Sequence, residues 1–230
     1  MTAQRNDLEA SLETAVFYSF QNINKSRSFR FYLMIKRAMD IVGACIGIML
    51  FSPIFFVVAI LIKLEDPHGP VFFSQIRVGK DEKTFKMYKF RSMVSNAEGM
   101  LDGLLSRNEI SGAMFKIKND PRITKVGKFI RKTSIDELPQ LWNVILGDMT
   151  IVGPRPPLPR EVADYTSYHK LRLKVKPGCT GLWQVSGRND LSFNEMVELD
   201  LKYIRLRNIL FDLKIIFKTF KVLLGSKNAY

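Results

Sequence analysis

Residues 41–62 read IVGACIGIMLFSPIFFVVAILI and contain no charged side chain. As a helix rising about 1.5 Å per residue, this stretch is long enough to cross the hydrocarbon core of a bilayer. Ser52 and Pro53 stand at its middle. Proline lacks a backbone donor and its ring clashes with the carbonyl four residues earlier, here that of Met49, while the serine hydroxyl can bond a carbonyl of the preceding turn. The stretch therefore either crosses the membrane as a kinked helix or enters, bends and returns.

Basic residues lie on both sides of this apolar stretch, with Lys36 and Arg37 before it and Lys63 and Arg77 after it. The orientation of a membrane span normally follows an excess of Lys and Arg on one side. A single crossing would place one basic flank outside, whereas a helix that breaks and returns keeps both flanks in the cytoplasm. Charge and proline together favour the re-entrant form.

The 230-residue chain carries 35 Lys and Arg against 22 Asp and Glu, a formal charge of +13. Such an excess indicates an anionic partner, which can be nucleic acid, anionic lipid or a polyphosphate substrate. The apolar stretch favours the last two, so nucleic acid is not expected.

Two cysteines and two histidines, with no CxxC pair, argue against a zinc site. No P-loop, DxD pair or G-x-G-x-x-G turn is present.

The remaining pattern predicts an α+β fold that is mainly helical. Its parts are a polar N-terminal tail (1–35), a re-entrant helix-break-helix membrane element (36–64) and a small cytoplasmic domain (65–230). Short strands are expected at 71–75, 84–90 and 182–185, a polar lid-like segment at 94–115, and helices at 134–146, 161–174, 194–205 and 209–224. The last helix sets Lys214, Lys218 and Lys221 opposite its apolar side. It therefore lies either in the membrane interface or on the core with its lysines in solvent.

Residues 132–139 read KTSIDELP and form the candidate centre. Ser134-x-x-Glu137 fits a capping box, which would make the acidic pair structural. Alternatively a helix begins at Asp136, with Pro139 in its first turn. The same helix N-terminus would keep a carboxylate ionised and help to bind phosphate. Successive helical residues diverge by about 100°, so Asp136 and Glu137 would divide the work, one as nucleophile and the other holding a metal.

Basic side chains in motif-like settings accompany this acidic pair. The candidates for binding phosphate are Lys89, Arg91, Arg131, Arg155 and Arg188. A guanidinium group binds phosphate through two parallel hydrogen bonds. Each of them alone can be a surface charge, but together with the acidic pair they favour a phosphate-binding site.

From about residue 36 to residue 230 the chain resembles the bacterial sugar transferases that prime surface polysaccharides, the monotopic polyprenyl-phosphate phosphoglycosyl transferases. The resemblance rests on motifs in order along the chain. They are KR-x-x-D at 36–40, SP at 52–53, YKFRSM at 88–93, DPRIT at 120–124, SIDELPQ at 134–140, GDM at 147–149, VGPRP at 152–156, KPG at 176–178 and TGLWQVSGR at 180–188.

The resemblance implies transfer of a sugar 1-phosphate from a UDP-sugar, with a hexose such as glucose or galactose favoured, to polyprenyl phosphate. The products would be polyprenyl diphosphate-sugar and UMP. Asp136 matches the nucleophile that forms a phosphosugar-aspartate intermediate, and Glu137 matches a residue that helps to hold Mg²⁺. Lys89, Arg131 and Arg155 match phosphate or nucleotide contacts.

Asp200 matches a further active-site position, without a defined role. The resemblance also implies a helix broken at Ser52-Pro53, contact with inner-leaflet lipids and a monotopic location on the cytoplasmic face of the cell membrane. Larger relatives carry transmembrane helices and another domain before this core, so the chain is expected to be a minimal catalytic core. The alternative is a non-catalytic, basic, membrane-bound adaptor of a polysaccharide assembly complex. Association into a homo-oligomer stays open.

Overall fold

The computed structural model describes residues 27–100, 102–107, 117, 119–187 and 191–225. Within these residues the helices are α1 (Arg27–Glu65), α2 (Lys125–Lys132), α3 (Gln140–Leu146), α4 (Pro159–Ala163), α5 (Ser167–Lys170), α6 (Phe193–Leu206) and α7 (Ile209–Gly225). The strands are β1 (Phe72–Val78), β2 (Thr84–Phe90), β3 (Thr150–Val152) and β4 (Gly178–Thr180). Short 3-10 turns lie at Lys80–Glu82, Asp102–Arg107, Ile135–Glu137, Leu171–Lys174 and Trp183–Val185. The predicted mainly helical fold with a few short strands is confirmed.

Helix α1 contains the whole apolar stretch and is a single helix of 39 residues with Pro53 inside it. Its most apolar window has a mean hydropathy of 2.8, so by length and composition it could cross a membrane. The Ser52 hydroxyl donates to the carbonyl oxygen of Met49 at 2.8 Å. This is the carbonyl that loses its helical donor at proline, so the serine replaces the missing bond. The serine bond is as predicted, but the structure does not confirm a break in the helix.

Polar side chains fasten the N-terminal half of α1 to the rest of the domain. Lys36 pairs with Asp212 of α7 at 2.9 Å, and Arg37 donates to two carbonyls in the last turn of α3 at 2.6 and 2.9 Å. The buried carboxylate of Asp40 accepts from the hydroxyl of Thr150 at 2.6 Å. The KR-x-x-D motif thus joins α1 to three other elements.

The C-terminal end of α1 is held by the same domain. The carboxylate of Glu65 accepts from the backbone N–H groups of Lys125 and Val126 at 2.7 and 3.0 Å, which satisfies free donors at the start of α2. The next residue, Asp66, binds Arg91 at 2.5 Å. Both ends of the apolar stretch are therefore attached to one globular domain.

Buried apolar side chains form three groups in the described residues. The largest joins β3 to α6 and α7. Each of the other two includes α1, through Ala44 in one group and through Val58 and Ile62 in the other. The outward side of α1 remains apolar and exposed, at Ile41, Val42, Ile46, Met49, Leu50, Phe56, Val57, Ile60, Leu61 and Leu64.

The strands make two small sheets in the described part of the chain. β1 and β2 form an antiparallel hairpin, in which Phe73 lies opposite Lys89 and Arg77 lies opposite Phe85. Because side chains alternate between the faces of a strand, Arg77 and Lys89 share one face of the hairpin. β3 pairs in parallel with β4. The hairpin and the helices α6 and α7 agree with the predicted elements.

Other segments differ from their predictions. The expected helix at 134–146 is a 3-10 turn followed by α3, although Gly147 ends α3 in the left-handed conformation (φ 92°), as predicted. The expected helix at 161–174 is divided, because the hydroxyl of Thr166 accepts from the backbone of His169 and starts α5 separately. The predicted strand at 182–185 is wrong, because residues 183–185 form a 3-10 turn. The residues that pair with β3 come earlier in the chain, in β4. Helix α1 begins at Arg27, ahead of the predicted start at residue 36.

Three predictions fall wholly or partly outside the described residues. These are the N-terminal tail for residues 1–26, the lid-like segment for residues 101 and 108–115, and the phosphate-binding role of Arg188.

Candidate active site

Asp136 and Glu137 lie in the 3-10 turn between α2 and α3. Ser134, just before them, has φ 57° and ψ 17°, a left-handed conformation that is uncommon for residues other than glycine and concentrates at functional sites. Its side chain makes no capping bond, so the capping-box prediction is wrong. The α-helix begins only at Gln140, so the alternative start at Asp136 is wrong as well.

Lys89 of β2 brings the two carboxylates together. Its ammonium nitrogen lies 2.6 Å from Oε1 of Glu137 and 3.9 Å from Oδ2 of Asp136. The side chain of Asp136 is 10% exposed and that of Glu137 is 40% exposed. One carboxylate is therefore almost enclosed while the other reaches solvent, which suits two different roles.

Burial separates the acidities of this pair. Burial raises the pKa of Asp136 to about 6 and Glu137 adds to the rise, while the charges of Lys89 and Arg131 oppose it. Burial also acts to raise the pKa of Glu137, but Lys89, Arg155 and Arg77 hold it below its usual value. The expected helix N-terminus is not the main influence here. The ammonium of Lys89 keeps the carboxylates charged, against the effect of burial.

Arginines surround the pair from two directions. Arg131 lies in the last turn of α2. Arg155 follows β3 and lies 3.6 Å from the buried carboxylate of Glu161. Arg77 is buried and donates to a carbonyl of the same loop, that of Pro156, at 3.0 Å. Burial and the neighbouring charge of Arg155 lower the pKa of Arg77 to about 10. The charge of Arg131 acts on Asp136, and the charges of Arg155 and Arg77 act on Glu137.

Two of these residues were not selected from the sequence. Arg77 is one of many basic residues after the apolar stretch, and its strand face becomes meaningful only with the hairpin register. Glu161 accepts from the backbone N–H of Leu158 at 2.8 Å as well as pairing with Arg155. Glu161 thus connects the start of α4 to Arg155 in the loop that follows β3. Arg77 lies four residues along β1 from Phe73, the partner of Lys89, and therefore on the same face of the hairpin, a spacing that could have indicated it.

Arg91 does not belong to this cluster. It is buried, and its guanidinium donates to the carboxylate of Asp66 and, at 2.8 Å, to the hydroxyl of Ser95. β2 ends at Phe90, so Arg91 does not continue the face that presents Lys89. The structure gives Arg91 a part in fixing the end of α1, and its phosphate contact stays a prediction.

Asp200 is fully buried on α6 and is bonded to Arg172, which also donates to the hydroxyl of Tyr165 at 3.1 Å. Its other carboxylate oxygen has no hydrogen-bond partner among the described residues. Burial raises the pKa of Asp200 to about 6, while Arg172 and Arg155 oppose the rise. Asp200 is thus enclosed by protein, close enough to Arg155 for that charge to act on its pKa. Arg172 was not selected from the sequence, which gives no sign that it is buried.

The described residues contain no group of three or more His, Cys, Asp or Glu side chains that could hold a metal ion by themselves. Asp136 and Glu137 nevertheless offer the oxygen donors that Mg²⁺ prefers, and Lys89 is bonded to only one oxygen of Glu137. Proteins commonly hold Mg²⁺ through one or two carboxylates together with substrate phosphates and water. The donor set fits Mg²⁺ if a phosphate-bearing substrate completes it.

Comparison with known proteins identifies the family. The model of the family described as "Bacterial sugar transferase" matches residues 31–226, so the chain belongs to this family. The matched range contains all the motifs identified in the sequence, from residue 36 to residue 188.

Similar proteins include the galactosyl transferase CpsE of Streptococcus agalactiae, 48% identical over 92% of this chain and 50% of the relative. The undecaprenyl-phosphate galactose phosphotransferase of Salmonella typhimurium is 45% identical over 91% of this chain and 44% of the relative. The exopolysaccharide production protein ExoY of Rhizobium meliloti is 41% identical over 86% of this chain and 88% of the relative. The chain spans about half the length of the first two.

Proposed function

We propose that this chain transfers a sugar 1-phosphate from a UDP-sugar to polyprenyl phosphate, in the first step of surface polysaccharide synthesis. The observation that carries the proposal is the enclosed Asp136, joined to Glu137 by Lys89 and flanked by Arg131 and Arg155. Family membership supports the reaction class. Relatives named for galactose favour UDP-galactose among the hexose donors.

In the first step the ionised carboxylate of Asp136 attacks the β-phosphorus of the UDP-sugar. The bond from that phosphorus to the bridging oxygen breaks, UMP leaves and a phosphosugar-aspartate forms. In the second step an oxygen of polyprenyl phosphate attacks the same phosphorus and frees the carboxylate. A carboxylate nucleophile divides a difficult transfer into two displacements, and phosphoryl transfer depends mainly on positioning and charge stabilisation.

The surrounding side chains supply that stabilisation. Lys89 keeps Asp136 charged despite its burial, and Arg131 and Arg155 offer donors to phosphate oxygens. Glu137 would help to hold Mg²⁺ with the diphosphate of the substrate. When bound, Mg²⁺ neutralises the charge that develops on phosphate oxygens.

We also propose a monotopic arrangement on the cytoplasmic face, with α1 inserted in the inner leaflet and not spanning the bilayer. Residues from Lys36 to Asp40 at one end and Glu65 at the other bind the same domain. The helix between Asp40 and Glu65 is roughly 37 Å long at about 1.5 Å per residue. A crossing would carry one set of these polar contacts to the far side of the hydrocarbon core. The apolar outward side of α1 supports burial in lipid.

Asp136→Asn tests the nucleophile. Turnover, measured as UMP release from a UDP-sugar and polyprenyl phosphate, is expected to fall by at least roughly 10⁴-fold, because an amide cannot attack phosphorus. Asp164→Asn is the matched control, since Asp164 is exposed and outside the cluster. Full activity of the Asp136 variant would contradict the assignment. A wild-type protein that releases no UMP from any UDP-sugar would favour the adaptor alternative.

Removal of divalent cations tests the role of Mg²⁺. Chelation is expected to stop UMP release, and added Mg²⁺ to restore it. Glu137→Gln is expected to raise the Mg²⁺ concentration that gives half-maximal activity, because it removes one charged oxygen ligand. Activity that survives thorough chelation would overturn the metal proposal while leaving the Asp136 test unaffected.

A further inference from the structure

A groove of about 270 Å³ lies between α6 and α7, beside the 3-10 turn Trp183–Val185. Its walls are apolar and include Leu182, Leu199, Phe211 and Ile215. None of the side chains that contact Asp136 or Glu137 lines it. The groove is therefore separate from the proposed reaction centre.

Three lysines stand at this groove, and each is exposed: Lys202 on α6, and Lys214 and Lys218 on α7. Among the described residues none of the three forms an ion pair with a carboxylate. Three cations without a counter-charge beside one concave surface create a positive local potential. The groove thus offers an anionic ligand both charge and an apolar wall.

The faces of α7 show where such a ligand would lie. Leu210 and Phe217 are 79% and 74% exposed, whereas Ile215 is buried. At about 100° per residue, Lys214 and Lys218 fall between the exposed apolar side and the buried side of the helix. The outward apolar side suits contact with acyl chains, and the lysines border the groove next to it.

We propose that this groove binds the headgroup of an anionic bilayer phospholipid, with its phosphate at the three lysines and its glycerol end against the apolar walls. A zwitterionic lipid such as phosphatidylcholine carries a cation beside its phosphate and so offsets little of the charge of three lysines, and inorganic phosphate would gain nothing from the apolar walls. An anionic amphiphile uses both. The bound lipid would hold α7 against the membrane at a place distinct from the site of the acceptor substrate.

The test compares binding to vesicles of phosphatidylcholine alone and of phosphatidylcholine with about 30 mol% phosphatidylglycerol. One variant removes the groove lysines and a matched variant removes three exposed lysines that lie outside α6 and α7: Lys202→Gln/Lys214→Gln/Lys218→Gln and Lys83→Gln/Lys86→Gln/Lys128→Gln. Each lysine near an anionic surface strengthens binding roughly fivefold, so the groove variant is expected to lose roughly 100-fold in affinity for the anionic vesicles. The matched variant is expected to lose much less, and binding to neutral vesicles to stay unchanged. An equal loss in both variants, or no loss in either, would overturn the proposal.

Further arms distinguish other ligands of the groove. Soluble dihexanoyl phosphatidylglycerol is expected to compete with the vesicles, whereas dihexanoyl phosphatidylcholine and inorganic phosphate are not. Competition by inorganic phosphate alone would make this a free-phosphate site and overturn the lipid assignment. Self-association that the groove variant abolishes would assign the groove to a second copy of the chain. Unchanged UMP release by the groove variant in detergent would show that its fold and the separate reaction centre are intact.

Discussion

Lys89 carries much of the chemistry at the scale of single residues, because it contacts both carboxylates of the proposed centre. It is the nearest cation to Asp136 in the described ion pairs and is bonded to Glu137. A buried carboxylate next to one ammonium stays partly protonated near neutral pH, as the pKa of about 6 for Asp136 indicates. The reactivity of Asp136 is therefore expected to depend on pH.

Turnover is expected to rise with pH through about 6 and then to level off, since only the ionised carboxylate of Asp136 attacks. Lys89→Met removes a charge that lowers this pKa, so the rise is expected at higher pH. The maximal rate should also fall by roughly 100-fold, the scale of losing one charge-stabilising donor. Profiles of kcat/KM for UMP release between about pH 5 and pH 9 measure both effects.

Lys89→Arg is the conservative control for that profile, because it retains the positive charge. Its pH profile is expected to stay closer to that of the wild type than the profile of Lys89→Met. A Lys89→Met profile with the same midpoint as the wild type would show that the ammonium does not control the ionisation of Asp136.

At the scale of elements, short motifs act mainly as links between parts of the chain. Lys36, Arg37 and Asp40 connect α1 to α7, α3 and β3 in turn. Glu65 serves α2 in the same way at the other end. Arg172 and Asp200 link the 3-10 turn Leu171–Lys174 to α6 beside the largest buried apolar group.

The buried pair of Arg172 and Asp200 gives a prediction at this scale. Arg172→Met leaves a buried carboxylate without its cation and is expected to cost about 3–5 kcal/mol. Arg172→Met/Asp200→Leu replaces both charges with apolar groups and is expected to recover most of that loss. The melting temperature in detergent measures stability, and UMP release measures function.

The double variant separates two roles for Asp200. Recovery of both stability and turnover is expected if Asp200 only positions the elements near Arg155. A variant that is stable but inactive would show that Asp200 itself takes part in the reaction. If neither stability nor turnover recovers, the unpaired buried charge is not the reason that Arg172→Met destabilises the protein.

The whole molecule combines the proposed phosphate-binding centre with a large apolar surface. That surface comes from the outward sides of α1 and α7, while the inward sides of both helices belong to the core. Both helices are therefore packed into the domain and are not separate membrane anchors. A lipid substrate explains why such a surface and a phosphate-transfer site would occur in one domain.

Cysteine labelling tests the proposed topology at this scale. Arg30→Cys and His68→Cys place exposed thiols on either side of the apolar stretch, in a background with Cys45 and Cys179 replaced by alanine. In intact cells a membrane-impermeant maleimide is expected to label neither position, and in inverted vesicles to label both. Labelling of the two positions from opposite sides would restore a simple transmembrane span.

The sequence by itself determined several parts of this protein. The length and charge-free composition of residues 41–62 sufficed to predict a long apolar helix, and the short runs at 71–75 and 84–90 predicted the two strands of the hairpin. The order of motifs carried the resemblance that predicted the family, and the assignment of Asp136, Glu137, Lys89, Arg131 and Arg155 to one active site stays a prediction from that resemblance. These properties depend on local chemistry and spacing, which the sequence states directly.

Only the tertiary structure decided which charges meet and how deeply they are buried. Arg77 and Arg91 are both basic residues of the hairpin region and cannot be distinguished from sequence. In the structure Arg77 donates to the carbonyl of Pro156, next to Arg155, whereas Arg91 pairs with Asp66 at the end of α1. The pKa of Asp136 depends on how deeply the side chain is buried and on the nearby charge of Lys89, and neither can be read from the spacing of residues in the sequence. Ion pairs between distant residues arise from packing, so their partners are fixed only when the elements come together.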